Sequence, residues 1–266
     1  MSKLPIVLAL QIIILYQFTA SKYISDYGNI QENRLNLDEV HSFKNVIVLY
    51  YNNDNRSISD LWNNIKQTAK NVWESVKRLA KDTKEKIIIW SEQVKAKAEQ
   101  IRQNFKNHLK ELKTEIIITL QNLFGNDGIV KKCLEKQSVK IDAILKNITT
   151  DVTSCISDKI NLGNKQMNNQ CFNFNDTEFL LKVEAKLNKC EEKQEQVEEC
   201  FDNIRKEIAE ETNYKENEIL KVRLESRNIA DDILDAVVTC STEGLIEVTK
   251  IVTSVALEII NCIVQG

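Results

Sequence analysis

The chain has 266 residues, a formal net charge of −3, 42% hydrophobic residues and 28% charged residues. Six Gly and one Pro are too few for the turns on which sheet proteins, phosphate loops and loop-built active sites draw. That scarcity argues against those classes and for a small number of long helices, since only helices reach such lengths without frequent turns.

Residues 1–21 read as a signal peptide. Lys3 is a short basic region, Leu4 to Phe18 is apolar, and Thr19, Ala20 and Ser21 offer small residues for cleavage. The apolar run is shorter than the roughly 20 residues a membrane helix needs. A secreted, extracellular protein is therefore expected. Three sequons, at Asn55, Asn147 and Asn175, and seven cysteines fit that compartment, and mark the chain as a disulfide-containing glycoprotein.

Residues 22–56 form an N-terminal arm to which no element is assigned. Val46 to Tyr51 is strand-like, but no partner strand is evident.

Residues 57–125 carry the clearest signal, an 11-residue repeat. Leu61-Trp-Asn-Asn-Ile-Lys-Gln-Thr-Ala-Lys-Asn71 and Val72-Trp-Glu-Ser-Val-Lys-Arg-Leu-Ala-Lys-Asp82 match at six places. Position 1 of six successive units is Leu61, Val72, Thr83, Val94, Phe105 and Ile116. Position 5 is Ile65, Val76, Ile87, Ala98, Leu109 and Leu120, and position 8 is Thr68, Leu79, Trp90, Ile101, Leu112 and Leu123. All but the two threonines are apolar. Eleven residues in three turns is close to the period of a free helix, which predicts one long, nearly straight amphipathic helix of coiled-coil character. Ser57 or Ser59 caps its start, and Gly125-Asn-Asp-Gly128 ends it.

Residues 129–266 are expected to form a Cys-containing helical bundle. Ile129 to about Ile160 reads as a second helix, and Asn161 to about Asp176 as a polar loop holding Gly163 and Cys171. From Thr177 a helical stripe runs toward Ile263, with interruptions expected at Glu211–Tyr214 or Ser241–Gly244. The expected fold class is all-α: one very long hendecad-repeat helix followed by a disulfide-linked bundle of long helices.

Cys133 and Cys155 are 22 residues apart, as are Cys240 and Cys262, which is two hendecads in each case. If the second helix lies antiparallel to the last, Cys155 meets Cys240 and Cys133 meets Cys262. In an up-down-up arrangement with a turn near Asn213, Cys155 again meets Cys240 and Cys133 meets Cys200. Cys171 is then the candidate free thiol or interchain bond.

The chemistry-bearing residues are sparse. His41 lies in the arm, and His108 lies beside the apolar seam as a structural residue. No zinc-type spacing, nucleophile elbow, P-loop or dinucleotide fingerprint is present. No enzyme activity, metal or cofactor is expected. The acidic run Glu191, Glu192, Glu195, Glu198, Glu199 and Asp202 falls on one face of an assumed straight helix, which cannot converge on calcium. Between 57 and 124, 13 basic residues stand against 8 acidic ones; between 171 and 266, 11 stand against 21. Opposite halves of this kind attract each other within a chain or between chains. Nucleic acid is not an expected partner, because Lys and Glu alternate and the chain is exported.

The seam Leu61, Ile65, Val72, Val76, Leu79, Trp90, Ile101, Phe105 and Leu112 is narrow. Positions 1, 5 and 8 span about 65°, against more than about 100° for an ordinary buried face. A narrow seam favours a partner helix, by self-association or from another helical protein, over lipid. The period, over residues 61–126, is similar to that of exchangeable apolipoproteins, which makes an extracellular lipid or membrane-surface binder the alternative. From about residue 130 onward, the helix-spaced cysteines of an exported helical chain resemble secreted insect proteins of the TsetseEP-domain type. That resemblance implies a secreted helical bundle and assigns no residue a role. The functional expectation is a secreted, non-enzymatic structural or binding protein acting through helix–helix association.

Overall fold

The structure, a computed structural model, describes residues 57–169, 176–192 and 196–265. Residues 1–21, read as a signal peptide, the arm with His41, the sequon asparagines Asn55 and Asn175, and Cys171 lie outside the described residues. Four helices follow one another: α1 (Ile58–Phe124), α2 (Gly128–Asn168), α3 (Asp176–Glu191) and α4 (Val197–Gln265). The described residues contain no strand, and the fold is all-α as the turn-poor composition requires.

Local chemistry sets the helix ends. Ser57 Oγ accepts a hydrogen bond from the Asp60 amide at 3.2 Å, and Asp60 Oδ2 accepts from the Ser57 amide at 3.3 Å, a reciprocal cap. Gly125, at φ 84°, closes α1 in a conformation that side-chain-bearing residues rarely adopt. Asp127 Oδ1 then accepts from the amides of Ile129 at 3.0 Å and Val130 at 2.9 Å, capping α2.

The described chain divides into two compact units. One comprises 57–91 of α1 together with Gln166–Ile229, and is called the hairpin unit. The other comprises Glu92–Lys165 and Ala230–Gly266, and is called the two-bridge unit.

In the hairpin unit, α3 and the start of α4 form an antiparallel pair stapled by Cys190–Cys200, whose Cα atoms are 5.7 Å apart. Phe179, Val183 and Leu187 pack with Phe201, Ile204 and Ile208, and α1 adds Ile65, Ala69 and Trp73 to the same core. Trp73 stacks on Phe179 with ring centroids 4.2 Å apart. Further along, Val76, Leu79 and Ala80 of α1 pack against Ile219 of α4.

In the two-bridge unit, α2 runs antiparallel to α4 and is joined to it by Cys133–Cys262 and Cys155–Cys240, with Cα separations of 5.9 and 6.0 Å. This is the pairing of the antiparallel arrangement. Gly163 and Gly244 allow close approach. A side chain at Gly163 would collide with Ile233, and one at Gly244 with Val152 while coming within 3.2 Å of the Phe105 ring. Gly244 is thus where α1, α2 and α4 come together.

Three boundaries differ from expectation. First, α2 continues through Asn161 to Asn168, because Gly163 is a packing position and Met167 beyond it is buried. Second, α4 is unbroken through 211–214 and 241–244. Thr212 satisfies its hydroxyl on the Ile208 carbonyl at 2.7 Å, Thr242 does so on Val238 at 3.0 Å, and no proline intervenes. The up-down-up alternative with a turn near Asn213 is therefore not the one found. Third, the chain reverses between Glu191 and Val197, where a continuous helix was expected. A straight helix would hold Cys190 and Cys200 about 15 Å apart, so their bridge requires the reversal.

Candidate functional site

The hendecad seam is the feature from which interaction was expected, and the structure places it in the interior. Ile65, Val72, Val76, Trp90, Ile101, Phe105 and Leu112 are buried; Leu61 and Leu79 are half-buried. The partners are helices of the same chain. The register holds even where side-chain chemistry departs from it, since Thr83 at position 1 is buried as completely as Val94. The Ile triplets confirm the phase: Ile87 and Ile116 point in, while Ile88, Ile89 and Ile118 are exposed.

The buried stripe is wider than positions 1, 5 and 8. Ala69, Trp73 and Ala80 are buried beside it, and Ser75, Lys86, Lys97 and His108 at position 4 are half-buried. A helix that packs against two others needs two adjoining faces, whereas the narrow estimate assumed a single partner. In the two-bridge unit, the α1 side chains reach α2 through Arg102 Nη2 donating to Ser157 Oγ at 3.1 Å, and meet α4 at Gly244.

Ion pairs also link the helices within each unit, and Lys66–Glu184 is the one below that joins a basic residue of 57–124 to an acidic residue of 171–266. In the hairpin unit, Lys66 pairs with Glu184 at 2.7 Å, Arg223 with Asp82 at 3.2 Å, and Lys186 with Glu207. In the two-bridge unit, Lys113 pairs with Asp142 at 2.5 Å and Lys140 with Glu258 at 2.8 Å. These surface pairs contribute up to about 1 kcal/mol each, and act mainly by fixing which helix faces which.

The acidic run is not on one straight helix. Glu191 ends α3, while Glu198, Glu199 and Asp202 follow the reversal on α4, so the geometric premise used against a cation there does not hold. Glu191, Glu192, Glu198 and Glu199 are exposed, Asp202 pairs with Arg205 at 2.8 Å, and no group of three potential metal ligands converges among the described residues. Negative residues in the first turn of α4 also suit its N-terminal dipole.

Asn147 is exposed in the middle of α2, beside the buried Ile148, and Thr149 donates its hydroxyl to the Leu145 carbonyl at 2.6 Å. A glycan at Asn147 would project away from the core. Three buried hydroxyls, of Thr83, Ser226 and Ser241, find no hydrogen-bond partner among the described residues. They lie on the interior stripes of α1 and α4, where a β-branched or small side chain fills space that a larger one would not.

Sequence reasoning missed the Cys190–Cys200 bridge. The signal available was two cysteines flanking a short polar stretch, 192–196, between two apolar stripes. It also missed the exposed aliphatic side chains at the α1–α2 turn and the end of α4, namely Leu123, Ile129 and Val264. No described helix is long and apolar enough to cross a membrane. The chain matches no family model, no curated protein and no solved structure.

Proposed function

We propose that the protein is a secreted, non-enzymatic structural or binding protein, in which helix–helix association closes the chain on itself and leaves the outer faces and helix ends to meet partners. The observation that carries this reading is the burial of the seam: Ile65, Val76, Ile101 and Phe105 are each no more than 1% exposed within a single chain. Lipid binding by the seam would require those residues to leave the core, at about 1.5–3 kcal/mol of lost burial for each large side chain. The two long-range disulfides oppose such opening, because they hold α2 and α4 together at two points 22 residues apart on each helix. Extracellular location is supported by the leader-like N-terminus, by three disulfides and by an exposed Asn147.

The test is to express the chain in secretory cells with Cys171→Ser, which spares all three bridges, and to measure the exported protein. It should begin near Ser21 or Lys22, lose mass on N-glycosidase treatment, and sediment as one chain at micromolar concentration. Retention in membranes with an intact N-terminus would contradict export. An oligomer that Ile101→Ser converts to folded single chains would contradict the closed seam.

A further inference from the structure

At one end of the two-bridge unit, all three of its helices terminate together. The turn at 125–127 joins α1 to α2, and Cys133–Cys262 ties the start of α2 to the end of α4. This end is apolar and poor in charge. Residues 116–130 include a single charged side chain, Asp127, which is engaged in capping α2, and residues 259–265 include none. Ile118, Leu123, Ile129 and Val264 are 40–61% exposed there, and Ile117, Phe124 and Ile263 are half-buried.

We propose that this end docks on a phospholipid surface, its aliphatic side chains entering the headgroup–acyl boundary. Depth is the first reason. From Ile118 to Phe124 on α1, and from Glu258 to Val264 on α4, six residues rise about 9 Å. Interfacial elements bury about 5–10 Å, which the charge-free ends of α1 (Ile118 to Phe124) and α4 (Ile259 to Val264) match, the charges at this end being the capping Asp127 and the α2 lysines. The arrangement of the nearest charges is the second. Lys131 and Lys132 are exposed one turn from Ile129, where their long stems can carry the ammonium groups to the phosphates. The acids are held back: Glu258 is paired with Lys140, and Glu115 and Glu135 lie deeper along their helices. Area is the third. A few half-exposed aliphatic side chains supply a few hundred Å², well short of the about 800 Å² per partner that a stable protein interface buries. A second copy meeting this end would be too weakly held, whereas a membrane surrounds the whole end.

The docking names one partner class for the binding protein proposed above and rests on that reading; mass and lipid binding are read separately, so either can fail alone. The mature full chain is floated with vesicles of phosphatidylcholine, with and without phosphatidylserine. Flotation with both is expected, stronger with phosphatidylserine. The triple variant Leu123→Ser, Ile129→Ser, Val264→Ser should lose about tenfold or more in partitioning with an unchanged melting curve, because all three side chains are exposed. Lys131→Glu with Lys132→Glu should lose roughly fivefold per lysine of the gain from phosphatidylserine at low salt. Leu123→Trp should move to bluer emission on vesicles and be quenched by brominated lipid. Wild-type protein that stays at the bottom of the gradient with both vesicles overturns the proposal. So does a triple variant that floats as wild type, or a sedimenting dimer that the triple variant abolishes, which would assign this end to a second copy.

Discussion

Replacing Cys155 and Cys240 together by serine is expected to remove about 4 kcal/mol of stability, and replacing Cys133 and Cys262 a similar amount. The reason lies in the nesting of the loops. The inner bridge joins residues 85 apart and the outer joins residues 129 apart, so with the inner one closed the outer closes only the remaining 44. Loop-closure entropy depends on the logarithm of that number, giving about 4 kcal/mol at 25 °C for either. Cys190–Cys200, with a separation of 10, should contribute about 3 kcal/mol. Guanidinium unfolding of each paired-serine variant under non-reducing conditions reads these differences. Against a typical total of about 5–15 kcal/mol, losing either long-range bridge is a severe change. A long-range double variant as stable as wild type would show that the bridges close loops already ordered in the unfolded chain.

Phe105→Ala should cost about 3–5 kcal/mol, among the largest effects expected of single substitutions in α1. Phe105 is 1% exposed, and its ring borders Gly244 on α4, so truncation leaves a void that the close helix crossing cannot fill. The Ile116–Ile118 triplet supplies an internal control. Ile116→Ala, at a buried position 1, should cost about 2–5 kcal/mol, whereas Ile118→Ala, half-exposed, should stay within about 0.5 kcal/mol of wild type. Chemical unfolding of the three variants measures the contrast. Equal effects at 116 and 118 would mean that the 11-residue phase does not set which face is buried.

Much of this fold could be read from residue spacing because one period governs it. The caps at Ser57 and Gly125 gave the extent of α1 to within a residue at each end, and the hendecad phase gave its buried face, which takes in Thr83, an exception to the apolar seam by chemistry, and only Ile87 of 87–89 fully, with Ile88 and Ile89 exposed instead of widening the seam. The same period aligned Cys133 with Cys155 and Cys240 with Cys262. What escaped was whatever depends on contacts between helices. Residues 191–196, Glu-Glu-Lys-Gln-Glu-Gln, are strong helix formers with neither Gly nor Pro, yet α3 ends at Glu191 and α4, starting at Val197, packs back on it with Val183, Leu187 and Phe201 in one core. Conversely, Gly163 and Gly244 look like breaks and are instead positions where a neighbouring helix leaves no room for a side chain. The seam itself was legible as an interaction surface, but spacing alone does not say whether the partner helix belongs to the same chain. The exposed aliphatic side chains at the α1–α2 turn were illegible for a related reason: apolar residues near a helix end look the same in sequence whether a neighbour covers them or not.

Non-reduced peptide mapping of the protein tests the arrangement of the helices most directly, because each bridge reports which helix faces which, and in what register. Three linkages are expected in the single-chain species: Cys133 to Cys262, Cys155 to Cys240, and Cys190 to Cys200. Cys133 joined to Cys240 with Cys155 joined to Cys262 would reverse the direction of α4 against α2. Either that pattern, or Cys190 and Cys200 in separate linkages, would contradict a chain that closes its own seam in the way described.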